Sequence, residues 1–211
     1  MKLSIQYLQK AIDNNAPNVK ELSSGVARTL IEQIEHLARI ASEFSQFANI
    51  GNQTNEVFDL HELLYSLVSL HSIHENSEVK WEPVQGRIDI YADKTQMNRL
   101  FTNLLQNAVE SIPTNKKGKI IIREEVSNGS VTVIVEDNGS GIPEEMKNKI
   151  FSPNFTTKTS GTGLGLAMCK GIVEQAKGEI WFDTNEKKGT SFHVTLPLTA
   201  PVEIAELELE S

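Results

Sequence analysis

Two pairs of apolar strand-like segments most constrain how this chain can fold. Residues 119–126 and 130–136 flank Ser127-Asn128-Gly129, and residues 178–184 and 190–196 flank Lys187-Lys188-Gly189. Each pair reads as a β-hairpin turning at the residues between its segments. A helical pattern over residues 164–176 lies between them, after a Gly-rich stretch from Asp137 to Thr162 with a short helix following Pro143. Upstream, Val57-Phe58 reads as a short strand, residues 60–70 as a helix, and residues 79–84 and 87–92 as strands. Asp93 can cap a helix running to about Ser111, with Met97, Leu100, Phe101, Leu104, Leu105 and Ala108 on its buried side, and Ile112-Pro113 stops it. Strands that come mostly as hairpins, with helices between, predict an α+β sandwich and argue against a doubly wound parallel sheet.

The first 52 residues are organised differently. Leu3, Tyr7, Leu8, Ala11 and Ile12 make one apolar helix face, ended by Asp13-Asn14-Asn15-Ala16-Pro17. A longer helix is expected to begin near Ser23 or Ser24, with Val26, Leu30, Ile34, Leu37, Ala41 and Phe44 on one side and Ile31, Ala38, Ser45 and Ala48 widening the stripe. Two such helices form a hairpin that cannot bury its own faces, so a second copy is the simplest partner. Gly51-Asn52-Gln53-Thr54-Asn55 reads as a linker. Three parts are therefore expected: a hairpin over 1–52, a sandwich over 56–198 and an acidic tail over 199–211.

Charge narrows the function classes. The chain has 211 residues and a net charge of −8, half of it in the last eleven residues, which carry four Glu and no base. Sequence-independent nucleic-acid binding needs a basic surface, so it is not expected. The single cysteine, Cys169, excludes an intramolecular disulfide and a Cys-rich zinc site. No apolar run reaches the length of a membrane span and no signal-peptide pattern opens the chain. The expectation is a cytoplasmic chain, with any membrane attachment in segments outside it.

Four segments carry chemistry. Asn103 and Asn107 share a helix face beside an apolar stripe, and a carboxamide oxygen is a hard, neutral donor that suits Mg²⁺ completed by water or phosphate. Asp137-Asn138-Gly139-Ser140-Gly141-Ile142 puts a carboxylate at a strand exit, where it could accept a hydrogen bond from an exocyclic amine; an ordinary Asx turn would read the same. Phe151-Ser152-Pro153-Asn154-Phe155-Thr156-Thr157-Lys158 sets two aromatic anchors around a loop whose Thr156, Thr157 and Lys158 offer hydroxyls and a cation to phosphate. Gly161-Thr162-Gly163-Leu164-Gly165-Leu166 opens a helix whose N-terminal amides can take an anion. It lacks the third glycine of a dinucleotide fingerprint and the Gly-Lys-Ser/Thr of a P-loop.

In this order the four segments resemble the N, G1, F and G2 boxes of bacterial sensor histidine kinases. Gly189-Thr190-Ser191-Phe192 is similar to the closing Gly-Thr-x-Phe motif of that family. Thr156-Thr157-Lys158 and Glu110 resemble its nitrogen-regulation branch, from which Asn154 departs where Phe is common. The resemblance implies a Bergerat ATP-binding fold of the GHKL superfamily, with ATP and Mg²⁺ as ligands. It implies Asn107 as Mg²⁺ ligand with Asn103 assisting, Asp137 on the adenine amine with Thr190 nearby through water, and Gly139 and Gly141 shaping the adenine pocket. Lys158 and the backbone of Gly161, Thr162, Gly163, Leu164, Gly165 and Leu166 would hold the phosphates, and Phe155, Thr156 and Thr157 would be among the cofactor-binding residues. GHKL ATPases of the gyrase or chaperone type place a water-activating Glu four residues before the metal-binding Asn; Asn103 stands there and favours the kinase. The rival readings are such an ATPase, or a non-catalytic nucleotide-binding dimer module.

The same resemblance implies a helical dimerisation domain with a phosphoaccepting His, followed by an acidic residue and, soon after, Pro. His36, His61, His71, His74 and His193 all lack that pattern. The chain is therefore expected to be a fragment without the acceptor. Its partners would be ATP, a second copy of itself and the receiver domain of a response regulator.

Overall fold

The computed structural model describes residues 2–14, 17–48, 51, 53–71, 77–158 and 161–199. The expectations for the acidic tail beyond Thr199 and for His74 lie outside these residues. The chain divides into two compact units. One comprises Met1–Asn49 with Thr156–Thr162, the other Ile50–Phe155 with Gly163–Ser211.

In the first unit, α1 (Lys2–Asp13) and α2 (Val19–Ala48) pack against each other. Helix α2 begins earlier than Ser23: Leu22 N–H already donates to Asn18 C=O at 3.0 Å, immediately after Pro17. Ser23 Oγ bonds back to Val19 C=O at 2.7 Å inside the helix and caps nothing. Proline and Asn thus start the helix where the apolar stripe alone suggested a later onset. Ala11 is buried, whereas Leu3, Ile5, Tyr7, Ile12, Ile31, Ile34, Leu37 and Phe44 are exposed.

The second unit is the expected α+β sandwich. A five-stranded sheet has the order β2 (Ser77–Glu82), β4 (Gly118–Ser127), β5 (Ser130–Asp137), β7 (Gly189–Pro197), β6 (Glu179–Asn185). Only the β2–β4 pair is parallel. Asn128 and Gly129 turn the β4–β5 hairpin with φ of 51° and 73°, the left-handed pair that matches strand twist. A smaller antiparallel pair joins β1 (Glu56–Asp59) to β3 (Asp89–Ala92).

One face of the sheet is covered by helices α3 (Leu60–His71), α4 (Lys94–Ser111) and α6 (Gly165–Gln175); α5 (Glu144–Lys147) is a single turn. The core is made by Ile120 and Ile122 of β4, Val131, Val133 and Val135 of β5, and Val194 and Leu196 of β7. Leu100, Phe101, Leu104 and Leu105 of α4 and Met168, Ile172 and Val173 of α6 pack among them. Asp93 caps α4 as expected, its Oδ1 accepting from Gln96 N–H at 3.0 Å. No described helix is long and apolar enough to cross a membrane.

Glu124 is one of five buried polar or charged residues among those described. Glu124, whose side chain is 0% exposed, stands on the helix-facing side of β4. Trp81 Nε1 donates to it at 3.0 Å, Val84 N–H at 3.2 Å, and His61 Nε2 lies 2.7 Å away. The carboxylate thereby ties β4 to α3 and to the chain leaving β2. Glu124→Ala would leave these groups buried without their acceptor, and is expected to cost about 3 kcal/mol of unfolding free energy. Urea denaturation checks this; a loss within 0.5 kcal/mol, the scale of surface substitutions, would refute it.

Candidate nucleotide site

Helix α4 meets both other parts of the second unit that carry sequence-selected residues: Asn103 lies against Gly165 at the start of α6, and Ser111 bonds Asp137 at the β5 exit. Asn103 and Asn107, one turn apart on α4, are both half-buried. Asn103 Nδ2 donates to Arg99 C=O at 3.0 Å. This orients its oxygen toward Gly165, where an added Cβ would stand 3.2 Å from Asn103 Oδ1. Helices α4 and α6 pack at this place, and Cys169 Sγ lies 3.7 Å from Leu100 C=O in the same contact. Burial pushes that thiol up to about 12.

Asp137 is the last residue of β5 and is 5% exposed. Three donors converge on its Oδ1: Gly139 N–H at 2.7 Å, Ser111 Oγ at 3.0 Å and Thr190 N–H at 3.3 Å. None of the described residues donates to Oδ2. Desolvation raises the pKa of this carboxyl above the ordinary Asp value, against the lowering effect of the three donors.

The loop after Asp137 is pinned from several sides. Asn138 Oδ1 accepts from Lys119 N–H at 2.9 Å, Ser140 N–H donates to Ser111 C=O at 3.0 Å, and Lys187 N–H donates to Ser140 C=O at 2.7 Å. Ile142 N–H donates to Thr184 Oγ1 at 2.9 Å, and Thr184 Oγ1 lies 3.0 Å from Thr190 Oγ1. Gly141 takes φ of 73°, and a Cβ there would stand 2.4 Å from Asn185 O. At Gly139 a Cβ would fall 1.9 Å from Ser111 Oγ. Ser111 and Thr184 were not among the sequence-selected residues. Both are small hydroxyl residues at or near element ends, where surface Ser and Thr are common.

Phe151 packs with Phe182 and Phe192, ring centroids 6.0 and 6.5 Å apart, so the first aromatic of its loop is an anchor on the sheet. Asn154 has φ of 63°. Asn is among the non-glycine residues that adopt this left-handed conformation most readily. Gly163, at φ of 71°, returns the chain against Phe155: a Cβ at 163 would stand 2.6 Å from Phe155 N and 2.6 Å from Asn154 C. The chain therefore leaves and rejoins the second unit through one narrow neck. Gly163→Ala is expected to part this neck and weaken ATP binding about tenfold, since backbone on both sides cannot give way. Calorimetry of the variant with ATP checks this, and unchanged affinity would refute it.

Thr156, Thr157, Lys158, Gly161 and Thr162 fall in the first unit. Within their segment Lys158 N–H donates to Thr156 Oγ1 at 3.1 Å and Gly161 N–H to Lys158 C=O at 3.3 Å. Leu164 is buried, Gly165 begins α6, and Leu166 is half-buried.

No group of three or more His, Cys, Asp or Glu among the described residues could hold a metal ion. The donor set fits a hard cation held by an Asn carboxamide and completed by phosphate oxygens and water, not one caged by protein carboxylates.

Residues 92–200 match the family described as histidine kinase-, DNA gyrase B-, and HSP90-like ATPase. Sporulation kinase A of Bacillus subtilis is 44% identical over 110 residues, which is 52% of this chain and 18% of that protein. The chain thus spans about a fifth of the length of that relative. The catalytic domain of histidine kinase ThkA superposes with a TM-score of 0.62 at 38% identity, covering 69% of this chain and 96% of that domain. Histidine kinase ThkA in complex with response regulator protein TrrA gives 0.64 at 28% identity, over 93% of this chain and 58% of that one. The chain belongs to the histidine kinase-, DNA gyrase B-, and HSP90-like ATPase family, and within it carries a histidine kinase catalytic domain.

Proposed function

We propose that this chain binds ATP with Mg²⁺ at the end of the sandwich formed by α4, the β5 exit and α6, and presents the γ-phosphate to a histidine. The observation that carries this reading is the convergence in one unit of three groups: Asn103 and Asn107 on α4, the buried Asp137, and the Gly165 start of α6. ATP supplies the phosphoryl group, and Mg²⁺ neutralises part of the phosphate charge.

The residues then have distinct tasks. Asp137 accepts a hydrogen bond from the adenine amine, with Thr190 beside it, and Gly139 and Gly141 shape the adenine pocket. Asn107 ligates the cation and Asn103 assists. The amides from Gly161 to Leu166 and the side chains of Thr156, Thr157 and Lys158 hold phosphate oxygens, while Phe155 closes the neck of that loop. Transfer breaks the bond between the γ-phosphorus and the β–γ bridging oxygen. It forms a bond from phosphorus to an imidazole nitrogen and leaves ADP. Passage of the phosphoryl group to an Asp of a response-regulator receiver domain would follow. The ThkA complex with TrrA supports that partner class.

The hairpin over 1–52 would be part of a dimerisation domain. Its exposed Leu3, Tyr7, Ile31, Ile34, Leu37 and Phe44 form an apolar surface suited to a second copy. Sedimentation at micromolar concentration is expected to show a dimer; a monomer would remove this assignment.

The phosphotransfer reading is tested by mixing the chain with labelled ATP·Mg²⁺ and a helical hairpin that displays a histidine. Acid-labile labelling of the hairpin with little free phosphate is expected. Brisk phosphate release that is lost in Asn107→Ala would establish an ATPase instead. Binding without either product would leave a nucleotide-binding module.

A further inference from the structure

We propose that Ser111 is a positioning residue for base recognition, holding Asp137 by Oδ1 so that Oδ2 is the oxygen offered to the 6-amino group of a purine. This rests on the reading of Asp137 as the residue that meets the base.

The geometry is specific to one hydroxyl. Ser111 is the last residue of α4, and its Oγ lies 2.8 Å from Ala108 C=O and 3.0 Å from Asp137 Oδ1. A serine has one proton to give. The ionised carboxylate is the stronger of the two acceptors, because hydrogen bonds to charged groups are about twice as strong as neutral ones. With Asp137 ionised the proton therefore goes to Oδ1 and ties the carboxylate to the helix. The other two donors to Oδ1, Gly139 and Thr190, are backbone amides. Ser111 is thus the one side chain among the described residues that donates to Asp137.

Two further contacts fit the same purpose. Ser111 C=O accepts from Ser140 N–H at 3.0 Å and from Ser140 Oγ at 3.1 Å, so this residue also holds the loop that follows Asp137. A Cβ at position 139 would fall 1.9 Å from Ser111 Oγ. The absence of a side chain at 139 is what leaves room for the hydroxyl to reach the carboxylate. With three donors on Oδ1 and none of the described residues on Oδ2, the carboxylate cannot exchange its two oxygens without breaking bonds. A ligand amine then meets a fixed acceptor.

The test compares ATP with the triphosphate of purine riboside, which carries hydrogen in place of the 6-amino group. Both are titrated calorimetrically into the wild-type chain and Ser111→Ala, with thermal unfolding as a control. The wild type is expected to prefer ATP. In Ser111→Ala the affinity for ATP should fall about tenfold, the size of one charge-assisted hydrogen bond, while that for the amine-free analogue stays within twofold. Ser111→Cys retains a weak donor and should fall between them. It reads the same contrast should the alanine variant not fold. Equal weakening of both ligands would make Ser111 a packing residue and overturn the proposal. An unchanged preference for ATP in the variants would overturn it while leaving Asp137 as the base reader. No preference in the wild type would remove both.

Discussion

Asp137→Asn is expected to lower ATP affinity at least a hundredfold while leaving the fold as stable as the wild type at pH 7, or more so. The carboxamide oxygen can take the place of Oδ1 and keep the bonds from Ser111, Gly139 and Thr190. Its NH₂ then occupies the place of Oδ2 and faces the adenine amine, donor against donor. The lost hydrogen bond and the new unpaired donor together account for about 3 kcal/mol. The stability sign follows from the raised pKa of Asp137. Between its unfolded and folded pKa values the folded chain binds more protons, so stability falls as pH rises through that window. Above the folded value the full cost of the buried charge is present, and Asn removes it. Any gain in melting temperature at pH 7 should therefore fade as pH drops through the Asp137 titration. Calorimetry with ATP and melting curves at several pH values check both halves. Affinity within threefold of wild type would take Asp137 out of the base pocket.

This opposition between stability and binding shows which parts of the site were legible in the sequence. Asp137 is legible as a candidate from its place at a strand exit before Gly139-Ser140-Gly141, although an Asx turn reads the same and its Oδ1 does accept from Gly139 N–H. Asp93 and the turn at Asn128-Gly129 are equally plain, since capping and left-handed turns depend on residues close in sequence. Ser111 is not legible, because its meaning depends on Gly139, which is distant along the chain and close in space. Glu124 is hidden for a related reason. It follows Arg123 and precedes Glu125, like one more charge on a solvated strand. Its burial arises from the parallel pairing of β2 with β4, which brings Trp81 beside Ile122 and within reach of Glu124. Such non-local strand pairing leaves little trace in local patterns. The early start of α2 lies at Pro17-Asn18, outside the apolar stripe, so the stripe by itself places the onset too late.

The second large effect is expected at Asn107. Asn107→Ala should abolish the part of ATP affinity that depends on Mg²⁺, a loss of about a hundredfold or some 2.7 kcal/mol, and leave ATP binding in EDTA unchanged. Asn107 is half-buried on α4, and melting curves of the variant separate any loss of fold from the loss of Mg²⁺-dependent affinity. Asn103→Ala should behave differently. Its Nδ2 is bonded to Arg99 C=O and its oxygen lies against Gly165, so the side chain both fills the α4–α6 contact and reaches the cation. That variant should lose some stability together with a smaller share of the Mg²⁺-dependent affinity. Titrations of each variant with ATP, with Mg²⁺ and with EDTA, separate the two roles. If Asn107→Ala keeps the Mg²⁺-dependent increment, the cation is held elsewhere. If Asn103→Ala loses more of it than Asn107→Ala does, the roles of the two residues are reversed.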